Sequence, residues 1–152
     1  MEQQIKALRD ALVKAERVAA MTGAGISAES GVPTFRGADG LWRNYNVMEL
    51  ATPTAFARDP ELGWEFYNWR RSLITGLTFN PGHKALVDLE ARLPHFTLIT
   101  QNVDGLHLKA GSKNLLEIHG NLWKVRCTKC HAFSVDLSPN MGSLPKCSQC
   151  GG

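Results

Sequence analysis

Four cysteines constrain this chain more than any other feature. They fall within its last 26 residues as two identically spaced pairs, Cys127-Thr-Lys-Cys130 and Cys147-Ser-Gln-Cys150, with 16 residues between the pairs. Two intervening residues let a tight knuckle aim both sulfurs at one point, and the longer spacer can return the chain as a short ribbon. The set matches one tetrahedral zinc ion held by four thiolates. Four protein ligands close the coordination sphere, so the ion is expected to be structural rather than catalytic. Disulfides would need an oxidising compartment, and the opening Met-Glu-Gln-Gln-Ile-Lys has no apolar signal core. Cys127-Thr-Lys-Cys130-His131 also spells the c-type haem attachment pattern. That reading requires export and leaves the second pair without a role.

Composition excludes several classes. The 152 residues suit one ordinary domain, and 43% of them are apolar, enough for a core. The 17 basic and 14 acidic residues give a net charge of +3, too mild for nucleic acid or an anionic membrane to be the main partner. No apolar run approaches the roughly 20 residues of a spanning helix. The expectation is a soluble, cytoplasmic domain.

Periodicity supplies the architecture. Ile5, Leu8, Leu12 and Ala15 predict an amphipathic helix over 2–16, and Arg17 to Met21 reads as a buried strand. Gly31, Pro33, Gly37 and Gly40 mark residues 31–46 as a long loop, and loops of that length in a compact domain are usually functional. Thr52-Pro53, Asp59-Pro60 and Asn80-Pro81 each pair a capping side chain with proline at the first helical position. The second opens a helix to about Thr75, with Leu62, Phe66, Trp69 and Leu73 on one side. The third carries Ala85, Leu86, Leu89 and Leu93 as its core stripe and ends at Pro94. Phe96 to Thr100 and Leu115 to Ile118 read as further strands. Strands separated by helices predict an α/β fold with a parallel, doubly wound sheet. Residues 122–152 change character and read as a small appended module.

Three constellations follow predicted strands, where ligands bind in open α/β sheets. Gly23-Ala24-Gly25-Ile-Ser27-Ala28 matches the dinucleotide pattern of a Rossmann-like unit. Its first glycine permits the tight turn and its second lets the backbone approach a pyrophosphate at a helix N-terminus. A dehydrogenase would show an acidic strand end about twenty residues on. This chain instead runs Gly31-Val-Pro-Thr-Phe35-Arg36-Gly37, which suggests a dinucleotide held in an unusual way. Gln101, Asn102 and Asp104 offer two amides and a carboxylate, suited to a carboxamide and ribose hydroxyls; a polar turn with a helix cap at Asp104 is the plainer reading. His119 follows the third strand and suits general-base work. His83, His95, His107 and His131 read as structural or solvated.

Taken together, these motifs resemble the sirtuin family of NAD-dependent protein deacylases. The resemblance rests on residues 23–36, on Thr100-Gln-Asn-Val-Asp104, on Ile118-His-Gly120 and on both cysteine pairs, in family order. It implies that residues 23–42, Trp42 included, form the cofactor loop, with Phe35 near the nicotinamide and Arg36 near the phosphates. It implies that Gln101, Asn102 and Asp104 shape the nicotinamide and ribose pocket and that His119 is the base acting on the ribose. The family reaction consumes NAD as an electrophile: acyl-lysine oxygen attacks the ribose carbon, nicotinamide leaves, and free lysine and O-acyl-ADP-ribose result. Acyl-lysine proteins are therefore the expected partners.

A finer similarity concerns the acyl group. Tyr67-Asn-Trp-Arg70, with Ala51 sixteen residues before the tyrosine, is similar to the class III branch, which removes succinyl and malonyl groups. There the small residue enlarges the acyl pocket, while tyrosine and arginine bind a distal carboxylate. Residues three apart share a helix face, and a guanidinium fork suits a carboxylate. Deacetylation is expected to be retained beside desuccinylation and demalonylation. The plainer reading makes Tyr67 core and Arg70 a solvated charge beside Arg71. Family members continue beyond the second cysteine pair, whereas this chain stops at Gly152. The expected organisation is thus residues 1–121 as the first part of a Rossmann-like domain and 122–152 as the zinc ribbon, in a fragment whose sheet is incomplete. A zinc-containing scaffold without catalysis and an ADP-ribosyl transferase are the competing functions.

Overall fold

The computed structural model describes residues 1–34, 41–43 and 45–152. In chain order the elements are α1 (Glu2–Lys14), β1 (Arg17–Thr22), α2 (Ala24–Ala28), β2 (Leu41–Trp42), β3 (Tyr45–Asn46), α3 (Val47–Leu50), α4 (Pro53–Arg58), α5 (Pro60–Ile74), α6 (Pro81–Arg92), β4 (His95–Thr100), α7 (Leu106–Ala110), β5 (Leu115–Glu117), β6 (Lys124–Arg126) and β7 (Phe133–Val135). Strands β1, β4 and β5 form a parallel sheet with β4 in the middle. The register pairs Thr22 with Thr100 and Thr100 with Glu117. All three strands therefore end in one row, and each predicted constellation begins at that carboxyl edge. The α/β class and parallel sheet read from the sequence are what the chain adopts. Strands β6 and β7 form a separate antiparallel hairpin.

The three proline-marked helix starts are capped as the sequence indicates. Thr52 Oγ1 accepts from the Ala55 N–H at 3.1 Å, and Asp59 Oδ1 accepts from the Leu62 N–H at 3.0 Å. Asn80 Oδ1 accepts from the Gly82 N–H, while His83 Nδ1 accepts from the Asn80 N–H. These side chains satisfy amides that the first helical turn otherwise leaves unpaired.

Two apolar clusters meet at α5. Trp42, Leu50 and Phe66 form one, with Ala51, Leu62, Tyr67 and Trp69 packed against it. Val32, Ile74, Leu106 and Leu122 form the other, with Tyr67, Leu77, Val103 and Trp123 against it. Tyr67 touches both. The buried side of α5 thus runs through Phe66, Arg71 and Ile74, while Leu73 of the expected stripe is exposed. Hydrophobic periodicity could not register a buried arginine.

Other local expectations also shift. No α1 residue is buried, and Ile5 and Leu8 lie on its open surface. Strand β1 buries alternate residues only in part, since it borders β4 on one side alone among the described residues. In α6, His83 rather than Ala85 is the enclosed residue. Within the expected 31–46 loop, Leu41–Trp42 and Tyr45–Asn46 pair as a small hairpin.

Gly105 joins the end of β4 to α7 with φ at +79°, and a Cβ there would lie 2.9 Å from Trp123 Cδ1. Both the left-handed backbone and the close approach require glycine. Gly105→Ala is expected to lower stability by about 2–4 kcal/mol in urea unfolding; a loss below about 0.5 kcal/mol would contradict this packing.

Candidate active site

The site is organised around Ser27, whose side chain is fully enclosed. Its hydroxyl donates to Asp104 Oδ2 at 2.7 Å. It lies 3.1 Å from Asn102 Nδ2, which donates to it, and 3.3 Å from His83 Nε2. His83 Nδ1 already accepts from the Asn80 amide, so Nε2 carries the ring proton and donates to Ser27. Asp104 Oδ1 accepts from the Leu106 N–H at 2.8 Å. The carboxylate therefore caps the turn into α7, as the plainer reading has it, and also receives Ser27. Asn102 Nδ2 also donates to the Gly23 carbonyl at 3.1 Å, fixing the turn after β1 against the loop after β4.

A second line of bonds runs beneath it. Thr22 Oγ1 donates to Thr100 Oγ1 at 2.9 Å, so His107 Nε2, also at 2.9 Å, must donate to Thr22. Thr100 Oγ1 accepts from the Asn102 N–H as well. The two imidazole rings lie 4.7 Å apart between centres. The sequence marked His83 and His107 as structural or solvated; they are structural and buried. The available signals were the position of His83 three residues after the Asn80 cap and of His107 three residues after Asp104.

Above this floor the remaining sequence candidates spread along the strand ends. A Cβ at Gly23 or Gly25 would meet nothing within 4 Å, so both glycine backbones face open space that a phosphate can approach. Ala24 sits between them in the first turn of α2, and Gln101 is exposed. His119 is exposed on the turn after β5. That turn is pinned by the Ile118 N–H to the Thr100 carbonyl, and by Glu117 accepting from Asn121 Nδ2 and Lys124 Nζ, each at 2.5 Å. Phe35 and Arg36 lie outside the described residues.

The acyl candidates gather around Phe66. Ala51 and Tyr67 pack against its cluster, and the Arg70 guanidinium carbon lies 5.6 Å from its ring centre. Burial lowers the pKa of Arg70, opposed by Tyr67 and by the negative charge of Asp104. Arg70 is thus half-buried rather than the solvated charge of the plainer reading.

The four cysteine sulfurs all lie within 4.8 Å of one another, with Cys127 to Cys150 and Cys130 to Cys147 each at 3.7 Å. A tetrahedron with metal–sulfur bonds of about 2.3 Å has edges of about 3.8 Å, so the donor set fits such an ion. Amides of Lys129 and Cys130 donate to Cys127 Sγ, and that of Gln149 to Cys147 Sγ. Backbone donors lead the causes that draw the Cys127 thiol down to about 6 and lower Cys147 as well, favouring a thiolate at those two positions.

Burial lowers both buried histidines. For His107 the pKa falls from its ordinary 6.5 to about 4 through desolvation first and the neighbouring His83 second. His83 is lowered by desolvation, against the opposing field of Asp104. An unfolded chain therefore takes up protons below pH about 6.5 that the folded chain refuses. Stability is expected to be full above that pH and to decline as pH falls toward about 4, with His107→Gln reducing the slope. Urea midpoints between pH 7.5 and 5 measure this, and a flat profile would contradict it.

Comparison with known proteins accords with this geometry. The Sir2 family model matches residues 23–152. A protein of Aquifex aeolicus named NAD-dependent protein deacylase is 54% identical over 136 residues, 89% of this chain and 57% of that protein. A Leptospira interrogans protein of the same name is 55% identical over 139 residues, 90% of this chain and 56% of its own length. The chain thus spans under three fifths of these relatives. Among solved structures, a Sir2 homolog–NAD complex superposes with a TM-score of 0.86 at 47% identity, covering 96% of this chain and 57% of that one. Sir2 bound to acetylated peptide superposes at 0.79 with 27% identity, covering 97% and 60%. The row of motifs on the sheet edge, the paired cysteines and these matches lead to one conclusion: the chain belongs to the Sir2 family.

Proposed function

We propose that this chain carries the catalytic segment of an NAD-dependent protein-lysine deacylase, of which residues 1–121 provide part of the nucleotide-binding domain and 122–152 the zinc ribbon. The observation that carries the reading is the Ser27 network. It ties the Gly23 turn, Asn102 and Asp104 into one preorganised floor at the carboxyl edge of the sheet. A scaffold has no need of such a floor, because every member of a buried polar network must be satisfied. The relatives' name and the NAD complex of a Sir2 homolog support the same cofactor here. The peptide complex of another supports acyl-lysine proteins as substrates.

The roles we assign are those the family resemblance implies, supported by placement where the residues are described. NAD, when bound, supplies an electrophilic ribose carbon with nicotinamide as leaving group. Gly23, Ala24 and Gly25 present backbone to the phosphates, with Phe35, Arg36 and Trp42 completing the loop. Gln101 and Asn102 address the carboxamide and ribose, while Asp104 holds Ser27 and the α7 turn rigid. His119, exposed on its pinned turn, takes a proton from the ribose hydroxyls and so makes them nucleophilic. Cys127, Cys130, Cys147 and Cys150 hold one structural zinc. Ala51, Tyr67 and the half-buried Arg70 favour an acyl group ending in a carboxylate, because a planar guanidinium fork matches carboxylate geometry. No described helix is long and apolar enough to cross a membrane, and a cytoplasmic setting accords with free thiolates.

The test is incubation of the zinc-loaded chain with NAD and matched succinyl- and acetyl-lysine peptides, following peptide mass and nicotinamide release. Succinyl loss is expected to require NAD and to vanish in His119→Ala. Arg70→Met is expected to lower kcat/KM for the succinyl peptide about 30-fold or more while leaving the acetyl peptide within about threefold. Equal losses on both peptides would overturn the acyl assignment. No turnover of either would overturn the deacylase reading for this chain and leave the scaffold.

A further inference from the structure

Arg71 is the largest fully enclosed side chain among the described residues. A cation so buried must be matched completely. Its Nε donates to the Ser138 carbonyl at 2.8 Å; Nη1 donates to the Leu122 carbonyl at 3.2 Å and lies 3.0 Å from Met141 Sδ. Nη2 donates to the carbonyl of Asp136 and pairs with its carboxylate. The guanidinium carbon stacks 5.0 Å from the Trp123 ring centre. Three residues earlier on α5, Asn68 Nδ2 donates to the Gly142 carbonyl at 2.8 Å and its Oδ1 accepts from the Met141 N–H at 3.0 Å. Asn68 and Arg71 therefore grip residues 136–142, the stretch that links the two cysteine knuckles.

Tyr67 and Arg70 each precede one of these gripping residues by one position. Consecutive helical residues are rotated by about 100°, so the grip on the ribbon fixes the roll of α5, and the roll fixes the direction of Tyr67 and Arg70. Trp123 extends the connection: its Nε1–H donates to the Asp104 carbonyl at 2.7 Å, and its ring closes on Gly105. One side chain thus joins the ribbon, the acyl helix and the floor of the cofactor site.

We infer that Arg71 is a positioning residue that couples the four-cysteine ribbon to the acyl-recognition face of α5, so that the state of the ribbon sets the aim of Tyr67 and Arg70. The inference rests on the acyl-lysine reading for its consequence in selectivity, but the coupling itself is independent of that reading. Lysine cannot replace the arginine fully, since a single ammonium cannot reach five acceptors disposed around a planar fork.

Hydrogen exchange by mass spectrometry on the zinc-loaded chain, with and without chelator, tests the coupling. In the wild type, chelation is expected to speed exchange about tenfold in peptides covering residues 60–74 and 103–106, outside the metal site. R71M is expected to exchange fast there while still holding one zinc, R71K to be intermediate, and D136N, which cuts the contact from the ribbon side, to reproduce R71M. Succinyl-peptide affinity is expected to fall about tenfold in R71M, with acetyl-peptide affinity changed less than twofold. Unchanged exchange in 60–74 on chelation, or R71M and D136N both matching the wild type, would overturn the coupling. Equal losses for both peptides would overturn its role in selectivity. Wild-type binding of neither peptide would overturn the acyl reading alone, leaving the exchange result to decide the coupling.

Discussion

The structure depends on one enclosed hydroxyl. Ser27 receives His83 and Asn102 and donates to Asp104, groups that lie 56, 75 and 77 residues away in sequence. A hydroxyl has one proton and two lone pairs, and all are used. The arrangement is possible only because β1 and β4 pair in parallel and in register to their last residues, Thr22 and Thr100. That pairing places the Gly23 turn beside Asn102 without further adjustment. Loss of the hydroxyl would take one partner each from Asp104 Oδ2, Asn102 Nδ2 and His83 Nε2 in a low-dielectric interior, where each lost bond is costly.

Around this floor the chain uses α5 as a divider. On one side Phe66 and Tyr67 build the apolar wall on which Arg70 lies; on another Asn68 and Arg71 hold the ribbon. The two arginines are adjacent in sequence and opposite in consequence. Arg71 spends its donors on backbone carbonyls and Asp136, whereas Arg70 is half-buried against an aromatic ring within the field of Asp104. A buried charge fully matched by protein serves architecture. Trp123 connects the two tasks through its contacts with Arg71 and Asp104.

Much of this was legible in the residues. Capping side chains followed by proline located three helix starts, because that chemistry is local. The cysteine spacing pointed to a metal-type cluster, and the sulfurs do converge. Strand order alone places Gly23, Asn102 and His119 on one edge. Long-range polar contacts were not legible. Arg71 reads as one of two surface cations, since nothing in its neighbours shows that Asp136 and Ser138 will surround it. His83 precedes the apolar stripe of its helix and reads only as structural or solvated, although it is the enclosed residue of α6. The apolar stripe of α1 looks like a core face, yet Ile5 and Leu8 remain open. Periodicity reports which face of an element is apolar; only tertiary pairing decides which face is covered.

The most direct measurement is calorimetric titration of the zinc-loaded chain with NAD, for the wild type and for Ser27→Ala. If the Ser27 network preorganises a cofactor site, the wild type binds saturably at one site. The variant, with secondary structure retained, then binds at least about tenfold more weakly. Absence of saturable binding by the wild type, or equal affinity in the variant, would contradict the account.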